Sequence, residues 1–161
     1  DLVIATHGRS IYILDDTRPL RELTPEVMAE TAHLFPIPAA RGFYLLPGVS
    51  EFAGKGLYHG ENPPEGALIT FWVKEFTGDE VKIAITNSEG QPVANLKAPG
   101  TQGMHRLNWD LRPTKDVLIE YGGQDPKMFV PSGDYTAELS YGREKKKQTF
   151  HVEIAKGIRT R

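Results

Sequence analysis

Apolar and polar residues alternate most regularly between residues 67 and 110. In Val81-Lys82-Ile83-Ala84-Ile85-Thr86 the odd positions are β-branched and apolar, and the even ones polar or small. A strand sends successive side chains to opposite faces, so one face is buried and the other largely wet. In Leu68-Ile69-Thr70-Phe71-Trp72-Val73, Ile69, Phe71 and Val73 share a face, and Trp72 lies on the other with Leu68. Thr77-Gly78-Asp79 between the two runs has the chemistry of a tight reversal. The pattern therefore predicts a β-hairpin of Ala67–Glu75 and Glu80–Asn87. Asn87-Ser88-Glu89-Gly90 predicts a second reversal, leading into Pro92–Lys97. A further strand, Met104–Asp110, carries His105, Leu107 and Trp109 on one face. Gly133–Tyr141 turns Tyr135, Ala137, Leu139 and Tyr141 inward. Gln148–Ile154 does the same with Phe150, Val152 and Ile154, after a charged turn at Arg143–Lys147.

The same period opens the chain. Leu2–Thr6 is apolar, His7-Gly8-Arg9 has turn chemistry, and Ser10–Leu14 sets Ile11 and Ile13 on one face. A two-stranded hairpin is marginal alone, so this one must lean on other strands. Thr24-Pro25-Glu26 predicts a helix start, with a capping hydroxyl, Pro at the first position and an acid in the first turn. That helix should run to about Thr31, with Leu23 and Met28 placed to pack as a staple. Pro36 and Pro38 forbid helix and favour an extended connector. Arg41–Leu46 is the expected first strand of the main body, and the Gly- and Pro-rich stretch 47–66 a long loop. Residues 111–132, broken by Pro113, Gly122, Gly123, Pro126 and Pro131, are expected to be irregular. The basic tail 156–161 is expected to fray. About seven strands with turn signals between them predict a mostly β chain forming a β-sandwich, preceded by a hairpin and a short helix.

Composition narrows the setting. The 161 residues are enough for one domain with a real core, and charged residues at 25% and hydrophobic ones at 39% are ordinary. A net charge of −2 offers no electrostatic case for nucleic acid. There is no cysteine, which rules out disulfides and thiolate metal sites. No apolar run approaches the about 20 residues that span a bilayer. The chain opens inside a strand pattern without a signal peptide, as a fragment or processed product would.

Two stretches carry a resemblance. Asp1-Leu2-Val3-Ile4-Ala5-Thr6-His7-Gly8-Arg9-Ser10-Ile11-Tyr12-Ile13-Leu14-Asp15-Asp16 resembles the last blade of sortilin/Vps10-like, BNR-repeat β-propellers, whose bacterial members are often described as glycosyl-hydrolase-like. The second runs through Val81–Ile85, Gly90, Val93, Leu96, Leu107-Asn108-Trp109-Asp110 and Val130-Pro131-Ser132-Gly133-Asp134-Tyr135. It is similar to the immunoglobulin-like sandwich of flagellar-hook-capping proteins. Leu111-Arg112 departs from that pattern, which usually has Gly there. The resemblance implies a propeller-closing hairpin plus linker helix at 1–38, an immunoglobulin-like sandwich at 39–155, and a tail at 156–161. It marks His7, Gly8, Arg9, Trp109, Asp110, Arg112, Gly133 and Tyr135 as structural motif residues. The implied partner is the propeller of a parent protein or another protein chain, in a secreted or cell-envelope bacterial setting. Sialidase-type chemistry does not carry over, because its residues are gathered from several blades.

The residues themselves display no reaction. None of His7, His33, His59, His105 and His151 sits in helical zinc-ligand spacing, and zinc takes three or four converging ligands. Ser10 and Ser132 lack a His-Asp pattern to activate them. Neither a catalytic residue nor a cofactor or metal is expected. Lys145-Lys146-Lys147 has the look of a solvated hairpin tip. Asp110 and Arg112 are placed for a structural ion pair. The expected function is a non-catalytic structural or interaction module of a larger protein. The alternatives are a carbohydrate-binding module using Trp72, Tyr58 and His59, or a non-catalytic part of a glycoside hydrolase.

Overall fold

A computed structural model describes residues 1–8, 10–43, 65–121, 128–158 and 160. The described chain is mostly β. Strands β1 (Leu2–Thr6) and β2 (Ser10–Leu14) form a hairpin that is a sheet by itself. Two one-turn helices follow, α1 (Arg18–Glu22) and α2 (Pro25–Ala29), each with Pro in its first turn. The Thr24 hydroxyl caps α2 by accepting from the Val27 N–H. Helix α2 ends two residues before the expected Thr31, and Met28 is exposed.

The body is a two-layer sandwich. One sheet holds β3 (Ala32–Leu34), β5 (Ala67–Val73) and β8 (Gly103–Trp109) in the order β3-β5-β8. The other has the order β4-β10-β9-β6-β7. Its strands are β4 (Ala40–Gly42), β6 (Glu80–Asn87), β7 (Pro92–Pro99), β9 (Gly133–Tyr141) and β10 (Glu144–Ile154). All neighbours are antiparallel except β4 and β10. One core cluster draws on both sheets: Ile69, Phe71 and Val73 from one, Val81, Ile83, Ile85, Leu139 and Val152 from the other. With β3, β5 and β8 facing β6, β9 and β10, the strand order is immunoglobulin-like. The short β4, parallel to the last strand, continues the first strand after it changes sheets.

Tyr135 adds a second mark of this fold. It lies near the start of β9, and its hydroxyl donates to the Pro131 carbonyl at 2.8 Å. That is the tyrosine corner of immunoglobulin-like sandwiches. The indole of Trp109 packs edge-on against Tyr135 and Phe150, with ring centroids 5.7 and 6.1 Å away. Its Nε1 donates to Arg112 O at 2.8 Å, which satisfies the one polar atom of the buried ring.

Several expectations are corrected. Strands β5 and β6 are no hairpin: they lie in opposite sheets. Their apolar faces meet across the core instead of sharing one side of one sheet. The crossover Lys74–Asp79 is held by Tyr141, whose hydroxyl accepts Thr77 N–H at 2.9 Å and lies 2.8 Å from Glu75 O. The segment around Pro36 and Pro38 is not a connector onto the body but the sheet switch between β3 and β4. Ala32, Leu34, Phe35 and Ile37 are buried there, so the sandwich starts at Ala32, ahead of the expected residue 39. Pro suits this switch because it breaks the ladder that would hold the strand in one sheet.

The interval 111–132 contains a helix, α3 (Lys115–Tyr121), with Val117 and Leu118 buried. Thr114 Oγ1 accepts the Asn95 N–H at 3.0 Å, and Asn95 Nδ2 donates to Asp116 at 2.6 Å. Helix α3 thereby covers the outer edge of β7, a common protection of an edge strand. The turn between β9 and β10 is the two residues Gly142-Arg143, with Gly142 at φ +56°. The three lysines belong to β10 and are not a hairpin tip. Lys145 and Lys147 bind Glu138, while Lys146 binds Glu30 at 2.6 Å. The tail does not simply fray, since Ile158 packs on the core and Thr160 bridges Phe129.

The departure at Leu111 has a structural counterpart. Its φ is +59°, in the left-handed region where Gly costs least. Its side chain is fully buried, and its carbonyl accepts the Val130 N–H at 2.9 Å.

Candidate interaction surface

The hairpin is the most apolar exposed feature among the described residues. Cross-strand pairs Val3–Ile13 and Ala5–Ile11 share one face, and Leu2–Leu14 and Ile4–Tyr12 the other. Leu2, Val3, Ile4, Ile11, Tyr12, Ile13 and Leu14 remain between 41% and 66% exposed. Strands that are apolar on both faces belong in the middle layer of a packed structure. A hairpin with one solvated face would alternate, and this one does not. The outer edges of β1 and β2 pair with no other strand among the described residues.

The expected turn residues stand at the hairpin tip. His7 and Gly8 are exposed, and Gly8 takes φ +76°, which the three-residue reversal between Thr6 and Ser10 requires. Arg9 lies outside the described residues, as do Tyr58 and His59 and nearly all of the 47–66 loop.

The base of the hairpin is tied to the sandwich by polar contacts. Asp16 N–H donates to the Asp1 carboxylate at 2.9 Å. The Asp16 carboxylate accepts from Arg18 Nε at 2.7 Å and Nη2 at 3.2 Å. That bond, helped by the charges of Arg18 and Arg106 and opposed by burial, holds the Asp16 carboxyl below its usual range. From the outer face of β8, Arg106 donates to the carbonyls of Asp15 at 2.8 Å and Asp16 at 2.9 Å. Sequence reasoning did not single out Arg106. It is one polar position in an alternating strand, and no local pattern links it to residues 90 positions away.

The remaining candidate residues belong to the sandwich. Trp72 is half-buried on the outer face of its sheet, between His33 on β3 and Met104 on β8. Its Nε1 is buried without a hydrogen-bond partner among the described residues. Trp109 faces the core, as alternation predicts. Arg112 Nη1 lies 3.4 Å from the Asp110 carboxylate, and its guanidinium sits over the Phe129 ring at 4.3 Å, so the expected pair is present. Gly133 opens β9, two residues before Tyr135. Burial pushes the Tyr135 phenol up to about 12.

Three of the described histidines, His33, His105 and His151, make structural contacts. His105 is half-buried, stacks on Phe71 and lies 2.6 Å from Thr101 O. His33 pairs with Glu30 and His151 with Asp134. Among the described residues, no three His, Asp or Glu side chains gather as a metal would require. Among the described residues, no helix is long and apolar enough to cross a membrane.

A groove of about 680 Å³ opens at one end of the sandwich, between the β6–β7 turn, α3 and the entry to β9. Its polar lining groups are largely committed. Asn87 Oδ1 accepts the Glu89 and Gln91 N–H groups of its own turn, and Ser132 Oγ accepts Ile154 N–H. Asp134 is paired with His151. These side chains build the turns around the groove rather than point a reactive group into it.

Comparison of the chain with protein-family models, curated proteins and solved structures finds no match.

Proposed function

We propose that this chain is a non-catalytic structural and interaction module of a larger β-rich protein. The immunoglobulin-like sandwich is its body, and the hairpin Leu2–Leu14 is the part that joins a partner sheet. The carrying observation is the exposure of large apolar side chains on both faces of that hairpin. With about half of each already covered, complete burial contributes roughly 1 kcal/mol per side chain. Seven such side chains supply about the same free energy as rigid association costs, ~4–15 kcal/mol. Side-chain burial alone therefore gives weak docking. Strand addition, through main-chain bonds to edges that pair with no other described strand, supplies the rest. The likeness of residues 1–16 to a closing propeller blade makes a β-propeller the partner we favour, in a secreted or cell-envelope setting. The engagement of His33, His105 and His151 in packing and polar contacts supports the non-catalytic part of the proposal.

The test is the behaviour of the isolated chain. It should bind an apolar dye and associate with rising concentration in sedimentation. The double variant Val3→Lys/Ile13→Lys, which charges one of the two faces, should weaken both properties while the thermal midpoint of the sandwich stays put. A wild-type chain that stays monomeric to millimolar concentration without binding dye would overturn the proposal. So would turnover of fluorogenic glycosides by the purified chain.

A further inference from the structure

We propose that Arg106 and Asp16 form a rigid elbow that sets the direction in which the hairpin leaves the sandwich. The inference rests on the hairpin being the joining part. It adds that the joint is stiff, so that docking the hairpin also orients the sandwich.

The geometry is that of a clamp. Arg106 stands on β8, and its Nε lies 3.3 Å from the hydroxyl of Thr70, which is buried on the neighbouring β5. The other two guanidinium nitrogens reach the consecutive carbonyls of Asp15 and Asp16 at 2.8 and 2.9 Å. A planar guanidinium with a fixed fork holds two acceptors in one orientation, which a flexible ammonium does not. At the point gripped, the chain turns out of β2 toward α1 with Asp16 at φ +49°. A non-glycine residue holds that conformation only when its surroundings over-determine it. Here they do: the Asp16 carboxylate is held by Arg18, its N–H by Asp1, and its carbonyl by Arg106. Without the clamp, Asp15–Thr17 would be a short swivel between two folded parts.

Nuclear relaxation of the ¹⁵N-labelled chain, at a concentration where sedimentation gives a monomer, measures the elbow directly. The amides of β1 and β2 should tumble with the sandwich, with order parameters near ~0.85, as rigid backbone has. In Arg106→Ala and in Arg106→Lys they should fall below about 0.6, while sandwich amides and the thermal midpoint change little. Arg106→Lys keeps a cation beside Thr70 but cannot span both carbonyls, so it carries the test if the alanine variant fails to fold. A hairpin that tumbles independently in the wild-type chain would overturn the elbow, as would one that stays coupled in the lysine variant. Neither result depends on a partner, so failure of the elbow and failure of docking are separable.

Discussion

Leu111 is where side-chain burial and backbone conformation pull in opposite directions. Its φ of +59° disfavours any residue with a Cβ, at a cost of about 1–2 kcal/mol. Its side chain is fully buried, beside Gly42 and near Phe129 and Ile154. Truncating a buried leucine to alanine costs about 2–5 kcal/mol. Gly42 has no side chain to swing into the void, so Leu111→Ala should lose about 3 kcal/mol, within that range. Leu111→Gly loses those contacts, the buried Cβ that alanine keeps, worth about 0.8 kcal/mol, and about 0.5–1 kcal/mol more through the freedom of the unfolded chain. It regains about 1 kcal/mol or more by relieving the left-handed backbone. The two variants should therefore be nearly equal in stability, both well below wild type. Urea unfolding with a common slope measures this. For a chain of this length each kcal/mol shifts the thermal midpoint by about 2–4 °C, so both should melt roughly 6–12 °C lower. A glycine variant as stable as wild type would mean that the buried leucine contributes nothing. A glycine variant more than about 1 kcal/mol below the alanine one would mean that residue 111 carries no backbone strain.

Tyr135→Phe keeps the ring against Trp109 and Phe150 and removes only the hydroxyl. Pro131 is exposed, so water can replace the lost donor and the cost should be about 1 kcal/mol, seen as a small fall in the urea midpoint. In the wild type, absorbance should register the Tyr135 phenol titrating only at about 12. Gly66→Ala should be severe, by more than about 2 kcal/mol in urea unfolding, because φ is +112° and a Cβ there would meet the backbone carbonyl of Trp109. The Glu30 carboxyl is held below its usual range first by its bond to Lys146 and then by His33. A lowered folded pKa stabilises the fold above the usual carboxylate value and is lost as pH falls through the lowered one. The partners are each about a third exposed, so Lys146→Ala should cost only about 0.5 kcal/mol at neutral pH. The gap between variant and wild-type urea midpoints should close in acid.

Period-2 alternation by itself determined which way side chains point. Val81, Ile83 and Ile85 on β6, the four inward residues of β9, and Phe150, Val152 and Ile154 on β10 are all buried as the pattern requires. Apolar runs on either side of the turn residues His7-Gly8-Arg9 located both strands of the amino-terminal hairpin, and the cap before Pro25 located α2. These are local matters, decided within a few residues by side-chain direction and turn chemistry. Alternation names a strand's buried face but not its neighbour, so β5 and β6, adjacent in sequence with a turn signal between them, could be paired or opposed. Only the tertiary structure decided that they face each other across the core. It likewise recruited the three-residue β3, too short to show a period, and set α3 along the edge of β7 despite the breakers around it. Only the folded chain brings Arg106 to Asp15 and Asp16, because that contact depends on where two distant strands are packed and on nothing in the residues next to either end.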